Sequence, residues 1–391
     1  MASADRIVIA GAARTPLGSF QGKLKGFSAP SLGAVAIAAA LQRARLDVAA
    51  PDEVFMGCVL PAGLGQAPAR QAAIAAGIPD RVGATTVNKV CGSGMKAAML
   101  GHDAILAGSA EIVIAGGMES MSNAPYLLNK ARTGYRMGHG TMYDHMFLDG
   151  LEDAYERGTL MGKFAEDTAE KYQFTRQMQD AFATESLMRA KKATEAGAFA
   201  REIVPVRADA AEVAIDELPA RADPAKIPLL KPAFREGGTV TAANSSAISD
   251  GAAALVLMKE AEAKRRGATV LARIIGHATH AQAPHLFTTA PVGAIAKLLQ
   301  RIGWTSDAVD LYEISEAFAV VTLAAMRDLH LAHEKVNLHG GACALGHPIG
   351  ASGARVVVTL IHALQEKGLK RGVASLCIGG GEATAMAIEL V

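Results

Sequence analysis

Strand and helix patterns alternate over the first 120 residues, and this alternation constrains the fold more than any other feature of the chain. Short apolar runs typical of buried strands precede stretches of helical composition, starting with Ile7–Ala10 and Ser31–Ala44, a helix that Ser31 is suited to cap. The alternation returns at residue 241 and continues to a final strand at Ala383–Leu390. Strands that alternate with helices predict a layered α/β architecture.

The alternation weakens between residues 121 and 240, where polar residues, Met, Tyr and His become more frequent. One helix is evident at Arg176–Ala196, whereas the proline-containing stretch Asp216–Pro232 shows no convincing periodicity. We interpret residues 121–240 as a loop domain inserted over the α/β body.

A weak internal similarity relates the two ends of the chain. Cys91–Met95 leads into a predicted helix and then into the apolar strand Ile112–Ala115, which a pair of glycines closes. Gly350–Ala354 likewise leads into a helix and then into the apolar strand Val373–Ile378, which a run of three glycines closes. This repeated order is consistent with an ancient duplication.

Composition excludes several functional classes. The 391 residues are 50% hydrophobic and 20% charged with a net charge of +1, and no basic block indicates a nucleic-acid partner. No apolar run predicts a membrane span and no secretory pattern is present, so we expect a cytoplasmic protein. The cysteines lack zinc-site spacing, which favours free thiols in a reducing compartment and no metal site. They are Cys58, Cys91, Cys343 and Cys377.

The segment Asn88–Met95 ends a predicted strand, turns on small residues and starts a helix, so Cys91 lies at or beside a helix N-terminus. Unpaired N–H groups and the helix dipole at such a position favour the thiolate. Cys91 is therefore a candidate nucleophile, although a buried cysteine before an ordinary helix would give the same pattern.

Two further segments carry residues suited to catalysis. His347 lies in a glycine-rich loop between Gly346 and Pro348, a setting that suits a fixed catalytic orientation better than core packing. Cys377 ends a predicted strand and is followed by a glycine run that includes Gly379, whose backbone N–H groups could stabilise an oxyanion. Taken alone, an isolated His is more often structural, although the Gly and Pro neighbours of His347 favour a functional role, and a cysteine such as Cys377 before a turn is more often a core residue.

Together these motifs resemble those of the thiolases, the family of acetyl-CoA acetyltransferases and 3-ketoacyl-CoA thiolases, along nearly the whole chain. The similar segments are Arg14–Gly18, Val59–Gly63, Pro68–Gln71, the Cys91 motif, Gly116–Ser122, Thr239–Ala242, Asp250–Ala253, the His347 loop and the Cys377 motif. The resemblance implies a duplicated, layered αβαβα core with an inserted loop domain. Its N-terminal half would comprise residues 1–120 and 241–268, its CoA-binding loop domain 121–240, and its C-terminal half 269–391.

The resemblance also implies a ping-pong acyl transfer between coenzyme A thioesters. Cys91 would be acylated after activation by His347, and Cys377 would move the proton to and from the substrate. The N–H groups of Cys91 and Gly379 would form an oxyanion hole. The implied activity is thiolysis of 3-ketoacyl-CoA or its Claisen reversal, in particular acetyl-CoA C-acetyltransferase activity within fatty acid metabolism. Coenzyme A thioesters would be substrates, no prosthetic group is expected, and a homodimer or homotetramer is implied.

By the same resemblance, Ser246 would face the pantetheine chain of coenzyme A and Met161 would line the acyl end. Arg221 is the candidate for contact with a phosphate. Phe318 is expected to contact the substrate.

Two departures from the family pattern concern the second substrate. Ser315 replaces the Asn of the usual Asn-Glu-Ala-Phe segment, an Asn that holds a water in a second oxyanion hole; the Ser hydroxyl is shorter and has different donors. Leu160 replaces the His that is usual in biosynthetic members, which removes a polar group near the thioester.

These departures leave alternatives open. One is a weakly catalytic or non-catalytic acyl-CoA-binding homologue, and another is a 3-ketoacyl-CoA thiolase of longer-chain specificity. A condensing enzyme that acts on carrier-protein thioesters is disfavoured, because those enzymes usually have His or Asn in the place of Cys377.

Overall fold

The computed structural model describes residues 6–208 and 211–391. Its strands are β1 (Ile7–Arg14), β2 (Gly18–Ser19), β3 (Glu53–Gly57), β4 (Gly83–Val87), β5 (Ile112–Ser120), β6 (Tyr126–Leu127), β7 (Tyr143–Asp144), β8 (Val206–Ala208), β9 (Ala211–Val213), β10 (Ser249–Lys259), β11 (Ala272–Ala281), β12 (Leu311–Ile314), β13 (Arg371–Ile378) and β14 (Glu382–Leu390). Its helices are α1 (Ala29–Ala44), α2 (Pro68–Ala75), α3 (Ser93–Ala107), α4 (Met161–Tyr172), α5 (Arg176–Glu195), α6 (Glu217–Arg221), α7 (Glu260–Arg266), α8 (Ala290–Ile302), α9 (Ala319–Asp328), α10 (Ala342–Leu345) and α11 (Ile349–Lys367). Within these described ranges, no helix is both long and apolar enough to cross a membrane.

The main sheet consists of two halves with the same topology. Its order is β12-β13-β14-β11-β1-β10-β5-β3-β4, with β2 paired to β10, and a two-residue ladder between β1 and β11 joins the halves. In the first half, β10 runs antiparallel between β1 and β5, and β3 is parallel to β5. In the second half, β14 runs antiparallel between β11 and β13, and β12 is parallel to β13. This repetition agrees with the duplication expected from the sequence.

The central strands are largely apolar because helices cover both faces of each half. In β1, Ile7 and Ile9 pack into a core with residues of α3 and α11, whereas Val8 and Ala10 pack with α1 on the opposite face. Helix α8 covers the outer face of the second half, and α3 and α11 contact strands of both halves. The layers therefore follow the order helix, sheet, helix, sheet, helix, which confirms the predicted fold class.

The two central helices approach each other closely at their N-terminal ends. A Cβ atom on Gly353 of α11 would lie 2.3 Å from the backbone N of Met95, and one on Gly94 of α3 would lie 2.8 Å from the backbone N of Ala354. Only glycine leaves room for backbones this close. The segments that lead into the two helices therefore meet at one end of the core.

A buried arginine ties the region between 121 and 240 to the core. Arg14 of β1 donates from Nε to Glu202 at 2.6 Å and from Nη1 to Asp216 at 2.7 Å, and all three side chains are buried. The two carboxylates compensate the cost of burying the guanidinium. This region contributes α4, α5, α6 and the short pairs β6–β7 and β8–β9.

Some predicted boundaries differ from the structure. Helix α1 begins at Ala29 and its cap is Ser28, whose Oγ accepts a hydrogen bond from the Ser31 N–H; Ser31 therefore lies inside the first turn. The strand predicted to end within Asn88–Met95 ends earlier, at Val87, because the chain turns there toward Cys91. The stretch from 216 to 232 contains α6 and a 3₁₀ segment despite its prolines.

Candidate active site

A cavity of about 670 Å³ opens beside the N-termini of α3 and α11. Eight of the ten residues singled out from the sequence line it: Cys91, Leu160, Met161, Arg221, Ser246, Phe318, His347 and Gly379. The other two, Cys377 and Ser315, do not line the cavity and are almost fully buried. The fold thus gathers residues that are far apart in the chain, from Cys91 to Gly379.

Cys91 directly follows a strained residue in the turn before α3. Val90 has a φ of 45°, which is unusual for a β-branched residue, and its N–H is held by the Asn88 side chain at 3.0 Å. Cys91 follows directly, and Gly92 then caps α3. The helix N-terminus therefore lies next to Cys91, as the sequence predicted.

Burial raises the pKa of the Cys91 thiol to about 11, although hydrogen bonds from the backbone N–H groups of Gly379 and of Cys91 itself oppose this rise. Desolvation thus opposes formation of the thiolate, whereas these N–H groups favour it. The two N–H groups nevertheless converge on the sulfur. They are the pair that the sequence predicted as an oxyanion hole.

His347 is held in one tautomer by Ser352. Ser352 Oγ donates to the Pro348 carbonyl at 2.9 Å, so its lone pair faces His347 Nδ1 at 2.6 Å and accepts a proton from it. The other nitrogen, Nε2, is then unprotonated, and it is buried without a hydrogen-bond partner among the described residues. Burial, together with the positive charge of Arg355, lowers the pKa of His347 to about 4. The imidazole is therefore neutral and has a free acceptor at Nε2.

Cys377 and Ser315 lie deeper than the cavity wall. Cys377 packs in a core with Ala317 and Phe318, and burial raises the pKa of its thiol well above the usual value, as does the proximity of Cys91. Ser315 follows β12, and its N–H donates to the Ser375 carbonyl at 2.9 Å. The Ser315 hydroxyl, like His347 Nε2, is a buried polar atom that no described residue bonds.

Two buried carboxylates fix the loops around the site. Glu119 accepts hydrogen bonds from the backbone N–H groups of Val59, Leu60 and Gly350, which join β5 to the first turn of α11. Desolvation raises the pKa of Glu119 to about 7 against these bonds.

Glu316 accepts hydrogen bonds from Asn337, Ser186 and the backbone N–H of Cys343, which anchors the chain that leads to His347. Sequence reasoning assigned no role to Glu119, Glu316 or Ser352. All three lie inside the motifs named from the sequence. A polar residue among apolar or small neighbours is the signal that could have identified each of them.

A partly buried ion pair links the turn that carries Cys91 to the glycine run Gly379–Gly381. Lys89, two residues before Cys91, pairs with Glu382, which directly follows Gly381. The two loops that carry Cys91 and Gly379 are thus connected by side chains as well as by packing.

The remaining lining residues form apolar walls and one polar rim. Leu160 precedes α4 and Met161 begins it, and Met161 Cε lies 3.6 Å from where a Cβ on Gly379 would stand. Phe318 packs edge-on against Phe234, with ring centroids 5.8 Å apart.

The polar rim is formed by Ser246 and Arg221. Ser246 donates its N–H to the Ala317 carbonyl at 2.9 Å. At the rim, Arg221 is 64% exposed and pairs with Glu217 at 2.9 Å.

Comparison with known proteins agrees with this geometry. Residues 7–261 match the family described as "Thiolase, N-terminal domain", and residues 268–390 match "Thiolase, C-terminal domain". The chain is 52% identical to acetyl-CoA acetyltransferase 2 of Arabidopsis thaliana, with 98% of this chain and 97% of that one covered. It is 51% identical to the acetyl-CoA acetyltransferase of Escherichia coli (strain K12), with 98% of each chain covered.

Solved structures give the same result. The crystal structure of a thiolase from Ascaris suum in complex with coenzyme A has a TM-score of 0.94 and 43% identity, covering 99% of this chain and 100% of that one. These matches extend over both halves of the fold and include the cavity just described. The chain belongs to the thiolase family, and it is an acyltransferase enzyme of that family.

Proposed function

We propose that this thiolase is an acetyl-CoA C-acetyltransferase, which condenses two acetyl-CoA molecules to acetoacetyl-CoA and catalyses the reverse thiolysis. The relatives of about 50% identity that carry this activity in their names support the substrate. The observation that carries the mechanism is the meeting of Cys91, His347 and Gly379 in one cavity, with Cys377 buried beside it.

The first half-reaction transfers the acyl group to Cys91. His347 Nε2, a free acceptor, takes the thiol proton as the sulfur attacks the thioester carbonyl. The carbonyl oxygen gains negative charge, and the N–H groups of Cys91 and Gly379 stabilise it. The C–S bond to coenzyme A then breaks and Cys377 donates its proton to the departing thiolate, which leaves acyl-Cys91, a protonated His347 and the Cys377 thiolate.

The second half-reaction forms the carbon–carbon bond. Cys377, as thiolate, removes a proton from the methyl carbon of a second acetyl-CoA, and the enolate oxygen is held by donors in the region of His347 and Ser315. The carbanion attacks the acyl-Cys91 carbonyl, the Cys91 sulfur leaves and takes back the proton held by His347, and acetoacetyl-CoA is released. The raised pKa of Cys377 suits this step, because the base must accept a proton from a weakly acidic carbon.

We also propose that residues 121–240 contribute to coenzyme A binding. Leu160, Met161, Leu218 and Arg221 all come from this region and line the cavity. Ser246 would contact the pantetheine chain, and Arg221 at the exposed rim would contact a phosphate. Cytoplasmic location, a role in fatty acid metabolism, and a homodimer or homotetramer remain predictions from the sequence.

The activity is tested by measuring acetoacetyl-CoA thiolysis and acetyl-CoA condensation with the wild-type protein. We expect turnover in both directions with ping-pong kinetics. Absence of turnover, with coenzyme A binding intact, would instead support the alternative of a non-catalytic acyl-CoA-binding homologue.

Longer-chain specificity is a second candidate, and Leu160 is the observation that favours it. Leu160 contributes an apolar surface to a cavity whose walls also include Met161, Phe147 and Leu151. A series of 3-ketoacyl-CoA substrates of increasing chain length separates the two candidates. A kcat/KM that rises from acetoacetyl-CoA to 3-ketooctanoyl-CoA would support longer-chain specificity. A kcat/KM that declines over the same series would support acetyl-CoA C-acetyltransferase activity.

A Ser315→Asn variant in the same series tests the second oxyanion hole. If the shorter hydroxyl limits enolate stabilisation, the variant gains up to about 100-fold in kcat, since one such element contributes on that order. An unchanged kcat would show that the Ser315 hydroxyl stabilises the enolate as well as the Asn side chain does.

A further inference from the structure

Two histidines and an aspartate converge away from the catalytic cavity. His102 and Asp103 lie on α3, in the first half of the fold, and His277 lies on β11, in the second half. His102 Nδ1 is 3.1 Å from Asp103 Oδ1 and 3.2 Å from His277 Nε2, and His277 Nε2 is 3.0 Å from Asp103 Oδ1. The three atoms thus form a nearly equilateral triangle.

Hydrogen bonds alone do not account for all three close pairs of polar atoms in this triangle. If both imidazoles donate to Asp103, the two ring nitrogens face each other as donors. If His277 instead donates to His102, then His102 Nδ1 and the Asp103 oxygen face each other as acceptors. A proton on Asp103 would satisfy the remaining pair, but the Asp103 side chain is 54% exposed, where water solvates a charged carboxylate.

A cation satisfies the three lone pairs at once. Two ligand atoms that bind one Zn²⁺ ion at about 2.0–2.1 Å in tetrahedral geometry are about 3.3 Å apart, and in octahedral geometry about 3 Å apart. The observed edges fall within or close to this range. The two imidazole rings are nearly perpendicular, at 88°, so they approach one point without stacking.

We propose that His102 Nδ1, His277 Nε2 and Asp103 Oδ1 form a binding site for a divalent transition-metal ion of the zinc and nickel class. Two imidazoles and one carboxylate are the donor set that these ions prefer. The Asp103 side chain is 54% exposed, so solvent reaches the site and water completes the coordination. Each ligand atom is within 4.8 Å of the others.

The electrostatic surroundings are compatible with a cation. Asp103 supplies a negative charge that attracts a cation, and the two imidazoles supply neutral nitrogen donors when unprotonated. Lys96, one to two turns earlier on α3, is the nearby positive charge that opposes binding. This repulsion is partly offset by Asp103.

A metal ion at this position would connect the two halves of the fold. Helix α3 begins next to Cys91, and β11 pairs along its length with β14, which begins directly after the Gly379–Gly381 run. Binding to the folded state alone raises the stability by mass action. We therefore expect metal to raise the thermal unfolding temperature without being required for acyl transfer.

The test titrates Zn²⁺ into chelator-treated, full-length protein and follows binding by calorimetry and unfolding by scanning fluorimetry. We expect a site with a stoichiometry of one Zn²⁺ per chain and a raised unfolding temperature. His277→Gln and His102→Asn each retain a hydrogen-bonding amide near the lost nitrogen, and each should weaken Zn²⁺ binding by about 10-fold or more.

Two control variants identify the site. Cys91→Ala removes the thiol that lines the catalytic cavity and could also bind Zn²⁺, and His139→Gln removes an exposed histidine outside the triangle. Both should bind Zn²⁺ as the wild type does. Circular dichroism of the metal-free variants distinguishes lost ligation from lost folding.

The proposal is overturned if the wild type binds no Zn²⁺ under these conditions. It is also overturned if folded His277→Gln and His102→Asn bind as the wild type does, or if Cys91→Ala abolishes the binding. Co²⁺ provides an independent readout, because its visible absorption reports nitrogen and oxygen ligation and should be lost in the triangle variants alone.

Discussion

At the residue scale, the chemistry depends on which nitrogen of His347 carries the proton. The Ser352 hydroxyl is committed to the Pro348 carbonyl, so it accepts from Nδ1 and leaves Nε2 free. The proposed nucleophile and its proposed base are both neutral at rest, because burial raises the pKa of Cys91 and lowers that of His347. A proton must therefore pass between them during attack.

Removing the Ser352 hydroxyl should weaken catalysis through the tautomer of His347. In Ser352→Ala we expect kcat/KM to fall about 10- to 100-fold, part of the contribution that a positioned base makes. Ser352→Thr keeps the hydroxyl and should restore activity. Equal loss in both variants, with normal folding, would indicate that packing rather than the hydrogen bond matters.

The pH dependence follows from the low pKa of His347. Its folded value is about 4 against an ordinary 6.5, so between these values the unfolded chain binds a proton that the folded protein does not. This contribution to stability is full above pH 6.5 and declines as the pH falls toward 4. The acidic limb of kcat/KM should likewise have its midpoint near pH 4; a midpoint near 6.5 would contradict the buried, neutral imidazole.

At the element scale, the site depends on how closely α3 and α11 approach. The N-termini of both helices meet where glycines replace side chains, and Glu119 fastens the start of α11 to β5 through Gly350. Catalytic geometry is therefore set by helix packing and not by a flexible loop.

Gly353→Ala tests this contact. Alanine in a helix is favoured over glycine by about 1 kcal/mol, but here its Cβ would lie 2.3 Å from the Met95 backbone N. Overpacking should dominate and lower the free energy of unfolding in urea by about 1–3 kcal/mol, with a fall in kcat. Gly26→Ala, where a Cβ meets nothing within 4 Å, is the matched control and should be near neutral.

Sequence motifs predicted the site residues whose surroundings can be recognised within a short segment of the chain. Cys91, His347 and Gly379 sit in short segments whose strand ends, glycines and helix starts are visible along the chain, and the structure brings all three to one cavity. The layered fold was predictable for the same reason, since each strand and helix has its own apolar pattern.

What escaped prediction depends on residues far apart in the chain. The protonation of Cys91 is set by burial under other elements, and the triangle joins His102 to His277 across 175 positions. Ser352 acts through a hydrogen bond that exists only once α11 has formed. The cap of α1 is Ser28 and not the expected Ser31, because composition does not reveal where a helix starts around a proline.

At the scale of the whole molecule, buried ion pairs hold the 121–240 region against the duplicated core. Arg14 joins β1 to Glu202 and Asp216, and Thr359 of α11 donates to the same Glu202 at 3.3 Å. The cavity therefore has one wall from this region and one from the core. We expect its shape to depend on these contacts.

Arg14→Met tests this connection. The variant keeps much of the volume but leaves two buried carboxylates without their cation, which should cost about 3–5 kcal/mol in the free energy of unfolding. Arg201→Ala removes a charge from an exposed residue of the same region and should change stability little. Urea unfolding of both variants gives the comparison; equal stabilities would contradict a structural role for the Arg14 network.

The central claim is that Cys91 carries the acyl group, and trapping the intermediate tests it most directly. Wild-type protein is mixed with radiolabelled acetyl-CoA in the absence of a second substrate, quenched in acid and digested, and the labelled peptide is identified by mass spectrometry. We predict one acetyl group on Cys91, and none on a folded Cys91→Ala variant. Label that persists in that variant, or that resides on Cys377 in the wild type, would contradict the account.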